Sequence, residues 1–171
     1  DFGHGTHVAG ILGRREVDDV GGHPSSGMAS LSHASMLLMQ DVVDGSDWKE
    51  PEVDYLLAEA FEFGAIIHSD SWGDVDESYT PRSALFDRWS VEVPWSLAFI
   101  APGNNRAAFY EPANARNVVA VGATTRDAGQ EVMSSSARGP TEDGLRGIFV
   151  VAPGVSIESA RSDGERDSFN D

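Results

Sequence analysis

Apolar runs that do not alternate most restrict how this chain can fold. Met36-Leu37-Leu38-Met39, Ala65-Ile66-Ile67 and residues 97–101, 118–121 and 148–151 are apolar almost throughout. A strand with one wet face alternates, whereas a strand buried on both faces reads as a continuous apolar run. Helical segments separate these runs. Residues 51–63 predict a helix: Pro51 suits the first turn, and Glu50 and Glu52 favour the positive end of the dipole. Val53, Leu56, Leu57, Ala60 and Phe61 fall on one face, and Gly64 ends the segment. Residues 81–91 predict a second helix, with Leu85 and Trp89 inward and Phe86 a third candidate. Strand–helix–strand alternation of this kind implies an α/β fold, a three-layer α/β/α sandwich with a mainly parallel sheet. In such sheets ligands gather at the carboxyl ends of the strands.

A chain of 171 residues, 40% of them hydrophobic, buries one sizeable core and makes one domain or part of one. No run of about 18 apolar residues is present, so no membrane-spanning helix is expected. The absence of cysteine excludes a disulfide scaffold and a thiolate enzyme. A net charge of −16 argues against nucleic acid or an anionic membrane surface as partner. Of 12 basic residues only Lys49 is lysine. Such a surface suits a high-salt environment, and equally an acidic secreted enzyme. Residues 14–26, with Gly21-Gly22 and Pro24, read as a surface loop, and the polar residues 159–171 as a loop without core pattern.

Imidazole accepts and returns protons near neutral pH, and glycines on either side of His4 leave room for close approach. A lone histidine is nevertheless more often structural. What singles out His4 is the unbroken run His4-Gly5-Thr6-His7-Val8-Ala9-Gly10, which continues into an apolar helical stretch to Leu12. It resembles the histidine motif of the subtilisin-like serine proteases, the subtilases. That resemblance makes His4 the general base. His7, one turn on, lacks a third ligand at metal spacing and reads as a packed, hydrogen-bonded support. No metal site is assigned.

Two further segments fit the same family. Phe99-Ile100-Ala101-Pro102-Gly103-Asn104-Asn105 ends an apolar run in a tight turn presenting an amide. Acyl transfer needs a fixed donor aimed at the developing oxyanion, and by resemblance Asn104 is that donor, with Asn105 leaving a one-residue alternative in register. The family usually has Ala-Gly-Asn where this chain has Pro102-Gly103-Asn104. Ser71-Trp72-Gly73 resembles the edge that pairs with a peptide substrate as an added strand; Asp70 precedes it where relatives often carry asparagine. Ser71, Trp72, Gly73, Ala101, Pro102 and Gly103 are thus the substrate-binding candidates. The competing reading of Trp72 is a packed strand-to-loop corner.

Residues 114–123 resemble the family's segment through a core strand. Ser136-Ala137-Arg138-Gly139-Pro140-Thr141 and residues 150–157 resemble the approach to its nucleophile. Together with Ser71-Trp72-Gly73 these look closest to the KP-43-like group of alkaline, oxidatively stable subtilases. The resemblance implies a subtilisin-like fold and a secreted, extracellular serine endopeptidase with an Asp-His-Ser triad. It also implies protein or peptide substrates and a propeptide as a further partner. No cofactor is needed for catalysis; structural calcium is compatible with the family.

Residues 1–171 are expected to be a partial peptidase domain, incomplete at both ends. The aspartate strand would precede Asp1 and the serine helix would follow Asp171. Asp1 is not promoted to the triad, and Ser134-Ser135-Ser136 lacks nucleophile context. The isolated segment is therefore expected to be inactive and prone to aggregate. Phe149 stands where relatives carry an aspartate, and Ser136-Ala137 replaces a Phe-Ser-Ser pattern. The alternative from another class is a non-catalytic protease-like module that binds peptides or a partner protein. The complete histidine motif argues against it, and Phe149 mildly for it. An α/β-hydrolase esterase lacks its Gly-x-Ser-x-Gly elbow here.

Overall fold

The structure, a computed structural model, describes residues 3–13, 30, 32–44, 47–48, 52–162 and 169–170. In chain order its elements are α1 (His4–Gly13), β1 (Val43–Asp44), β2 (Asp47–Trp48), α2 (Val53–Glu62), β3 (Ile67–Asp70), α3 (Pro81–Glu92), β4 (Leu97–Ile100), β5 (Val119–Thr124), β6 (Val150–Pro153), β7 (Ser159–Ala160) and β8 (Phe169–Asn170). They divide between two compact units, Asp1–Met39 with Ser156–Asp171, and Gln40–Val155. No helix among the described residues is long and apolar enough to cross a membrane.

The unit Gln40–Val155 is built on a sheet of order β3-β4-β5-β6. All three pairings are parallel, with Ile67 opposite Leu97, Phe99 opposite Val119 and Val121 opposite Val150. Both expected helices form, but α2 starts at Val53 with Glu52 as its N-cap, so Pro51, expected in the first turn, precedes the helix and lies outside the described residues. Thr80 caps α3, accepting from the Ser83 amide at 3.4 Å, and Pro81 occupies its first turn. The end of α2 closes with paired bonds, Ala65 N–H to Ala60 O and Gly64 N–H to Phe61 O, each 2.9 Å. This is the Schellman arrangement that a glycine just past a helix permits.

Val53, Leu57 and Ala60 are buried on α2. Phe61, expected on the same face, is 38% exposed and meets Trp89 edge-on at 5.9 Å. Phe86 is the fully buried apolar residue of α3, while Leu85 and Trp89 pack at the core's margin. Ala98, Ile100 and Ala120 from one sheet face join Val53, Leu57 and Phe86 in this core, with Phe109, Ala113 and Ala137 from the loops. Burying one such large side chain contributes about 1.5–3 kcal/mol.

The run 97–101 coincides with β4, but the other three sheet strands lie later in the sequence than their apolar runs. The run 65–67 becomes β3 at Ile67–Asp70, 118–121 becomes β5 at Val119–Thr124, and 148–151 becomes β6 at Val150–Pro153. Ladder bonds are made by the main chain, so pairing continues through His68, Ser69, Asp70 and Thr124 although their side chains are polar. Burial on both faces, expected from the apolar runs, is not general: Ile67 is 58% exposed and β6 is exposed along its whole length, so hydropathy marks neither the burial nor the ends of these strands.

In the unit Asp1–Met39 with Ser156–Asp171, α1 begins at the histidine motif and extends to Gly13. The strand expected at Met36-Leu37-Leu38-Met39 is not formed: these residues have no ladder partners among the described residues, and Met36 is 94% exposed. Leu37 instead lies against Gly13 of α1. The run is apolar, but it lacks β-branched residues. The tail expected to be loop carries the antiparallel pair β7–β8. Its signal was small size rather than hydrophobicity: Ser159 and Ala160 pack directly on Gly10, where any side chain would collide with both. The loop expected at residues 14–26 lies outside the described residues.

Candidate active site

The candidate substrate-binding residues converge at the carboxyl ends of β3 and β4. Beyond the last register pair, Asp70 with Ile100, the ladder gains one more bond, Ala101 N–H to Asp70 O at 3.0 Å. Residues 71–73 and 101–104 are therefore neighbouring continuations of two paired strands. Ser71, Gly73, Ala101 and Asn104 are exposed, and Pro102 is buried. A hollow of about 370 Å³ opens at these strand ends, lined by Asp70, Ser71, Ala101, Gly122, Ala123 and Pro153 among others. This is where a parallel sheet offers a binding site.

Trp72 takes the packed-corner role. Its ring packs near Phe86, with centroids 6.4 Å apart, and its indole N–H donates to Asp70 Oδ1 at 3.1 Å. The side chain thus pins the corner while the main chain of its neighbours stays accessible. Gly73 is explained by a protein contact rather than by a substrate: a Cβ there would collide with the Glu111 carbonyl oxygen.

Gly103 is demanded twice, by φ of +102° and by the Tyr110 ring, which a Cβ would meet at 2.5 Å. The turn that follows separates the two asparagines. Asn105 Oδ1 accepts from the Ala107 amide at 3.1 Å, and its Nδ2 donates to the Tyr110 hydroxyl at 3.2 Å. Asn105 is consumed by the turn, whereas the Asn104 amide makes no hydrogen bond among the described residues.

His4 and His7 belong to the other unit. His4 is the first residue of α1 and is exposed. His7 Nε2 lies 2.9 Å from the Ile157 carbonyl oxygen, which only accepts, so Nε2 carries the proton. Ser159 Oγ donates to the His7 carbonyl at 2.6 Å. His7 is thereby occupied as a support for α1. Among the described residues no group of three His, Asp or Glu side chains gathers as a metal site.

Asp70 escaped assignment from sequence, although its substitution for asparagine was visible. Its Oδ2 is buried without a hydrogen-bond partner. Burial pushes its carboxyl up to about 6, against the opposing hydrogen bond from Trp72. His68, two residues earlier on the strand, has its pKa lowered by burial, which favours neutral imidazole. The Asp70 shift has a signed consequence. The folded state holds the proton to higher pH than the unfolded chain, so ionisation of Asp70 destabilises as pH rises from about 4 to about 6. Asp70→Asn removes the titration. The variant should gain stability relative to wild type across that window, by about 3 kcal/mol once above it. Urea unfolding of both proteins from pH 4 to 8 measures this; a flat difference would refute it.

The comparison with known proteins decides the family. A model of the Subtilase family (Peptidase_S8) matches residues 1–170. The chain belongs to the Subtilase family. The serine protease/ABC transporter B family protein tagB of Dictyostelium discoideum is 30% identical over 130 residues, covering 71% of this chain and 7% of that protein. Among solved structures, sphericase superposes with a TM-score of 0.72 at 23% identity, covering 98% of this chain and 56% of that one. The psychrophilic subtilisin-like protease Apa1 of Pseudoalteromonas sp. AS-11 gives a TM-score of 0.73 at 21% identity, covering 95% and 34%. The chain thus spans 7% of tagB and 56% or less of these structures. Its fold is the subtilisin-like three-layer α/β/α sandwich, with the parallel order β3-β4-β5-β6 flanked by α2 and α3.

Proposed function

We propose that this subtilase chain is the histidine- and asparagine-bearing part of a serine endopeptidase domain. One observation carries the reading: Ser71-Trp72-Gly73 and Gly103-Asn104 leave two hydrogen-bonded parallel strands side by side, in a chain that matches the Subtilase family throughout. In the proposed mechanism a serine attacks the substrate carbonyl, and His4 takes its proton and later returns it to the leaving amine. Asn104 donates to the oxyanion. A serine nucleophile and an aspartate that orients His4 complete the proposed triad, and neither is assigned among these 171 residues. The substrate lies as an added strand along residues 71–73, with Ala101, Pro102 and Gly103 as the facing wall.

We further place the chain with the KP-43-like group, on Ser71-Trp72-Gly73, Arg138-Gly139-Pro140-Thr141 and Ala152-Pro153-Gly154. With it come secretion, a propeptide as intramolecular partner and calcium as a structural ion. The chemistry requires no cofactor.

The test uses the full-length protein that contains this chain, with casein as substrate and a phosphonate reagent directed at serine nucleophiles. Hydrolysis abolished by stoichiometric labelling is the expected result. Peptide binding with neither hydrolysis nor labelling would replace the protease reading with that of a non-catalytic binding module.

A further inference from the structure

We infer that Arg82, paired with Glu111, is a positioning residue that locks the two strand-end segments of the cleft to each other; this rests on reading those segments as the peptide cleft. Arg82 is 6% exposed and Glu111 is 3% exposed, so a full ion pair has been taken out of water. Arg82 Nη1 donates to Glu111 Oε1 and, at 2.9 Å, to Asp74 Oδ2. The Thr80 hydroxyl donates to the other Glu111 oxygen. Asp74 directly follows Gly73 in the sequence, so the guanidinium holds the chain one residue beyond the substrate edge. The same guanidinium carbon stands 5.8 Å from the Trp72 ring centroid, within cation–π range.

The Glu111 side reaches the second wall. Glu111 N–H donates to Asp76 O at 2.8 Å, and its carbonyl fills the space over Gly73. Its neighbour Tyr110 covers Gly103 and donates its N–H to Pro102 O at 3.1 Å. Residues 110 and 111 therefore touch both walls at their glycines. Asn114 adds a parallel tie, donating to Glu77 O at 3.0 Å and Ser78 O at 2.7 Å while accepting from Ser83 Oγ.

A buried ion pair is weak evidence of a stability role, because apolar residues of similar size often replace such a pair without loss. Removing one partner alone strands a buried charge and destabilises strongly. The double replacement therefore separates positioning from stability.

The experiment compares wild type, Arg82→Met, Glu111→Met and the double variant in the full-length protein. It reads thermal unfolding, hydrogen exchange over residues 70–80 and 100–112, and steady-state hydrolysis of a peptide long enough to span the cleft. Each single variant should unfold at lower temperature. The double variant should regain most of the lost Tm, yet both segments should still exchange faster. Its KM should stay raised roughly tenfold with kcat changed far less, the size expected for losing one good charge-assisted contact's worth of preorganisation. Recovery of Tm, exchange and KM together would overturn the inference and make the pair purely structural. Faster exchange in only one segment would also overturn it. Wild-type protein that hydrolyses no peptide would sink the protease reading instead, and exchange in the two segments would then decide the coupling by itself.

Discussion

His4→Ala in the full-length protein is expected to lower kcat for peptide hydrolysis on the order of 10⁶-fold, the scale reported for losing the histidine in subtilisin itself. The expectation is borrowed from that relative; the structural reasons are this chain's own. His4 stands exposed as the first residue of α1, where its imidazole is not consumed by packing. His7 supplies the contrast within the same motif. Its Nε2 is bonded to the Ile157 carbonyl, so His7→Ala should cost stability of about 1 kcal/mol and leave kcat close to wild type. Steady-state hydrolysis and urea unfolding of the two variants separate the roles. A His4→Ala enzyme within tenfold of wild type would mean that the proton is taken by another group.

The fold was legible because its determinants are local and repeated. Apolar runs alternating with helical segments specify a parallel sheet, and Pro81 and Gly64 mark helix ends that the structure keeps; the expected cover over both faces does not extend to β6, which is exposed along its length. The strand ends were less legible, because ladder bonds pass through His68, Ser69 and Asp70 irrespective of side-chain hydropathy. At residues 36–39 apolar character was mistaken for pairing, and at Ser159 and Ala160 fit against Gly10 had no hydrophobic signature. The site was legible in its motifs and opaque in its supports. Arg82 and Glu111 lie 29 residues apart, with no motif to link them; only tertiary structure brings them together. The need for Gly73 likewise comes from a carbonyl 38 positions away (111 − 73) in the sequence.

Asn104→Ala is expected to reduce kcat by about 10²–10³ with little change in KM, the range the subtilisin asparagine establishes for one oxyanion donor. The split follows from where the charge develops. A neutral ground-state carbonyl gains little from a donor placed for the oxyanion, so binding is spared while the transition state loses about 2.7–4 kcal/mol. Asn105→Ala should behave differently, because that side chain bonds Ala107 N–H and the Tyr110 hydroxyl within the turn. Losing those bonds loosens the turn, and because Tyr110 also covers Gly103 the variant should lower Tm more than Asn104→Ala does. Its own kcat should fall by at most about thirtyfold, the two bonds being worth about 1 kcal/mol each in positioning. Kinetics and thermal unfolding of the two variants assign the register. If Asn105→Ala carries the large kcat loss and Asn104→Ala is silent, the turn must rearrange when substrate binds, and the donor is the residue that this structure shows bonded to Tyr110.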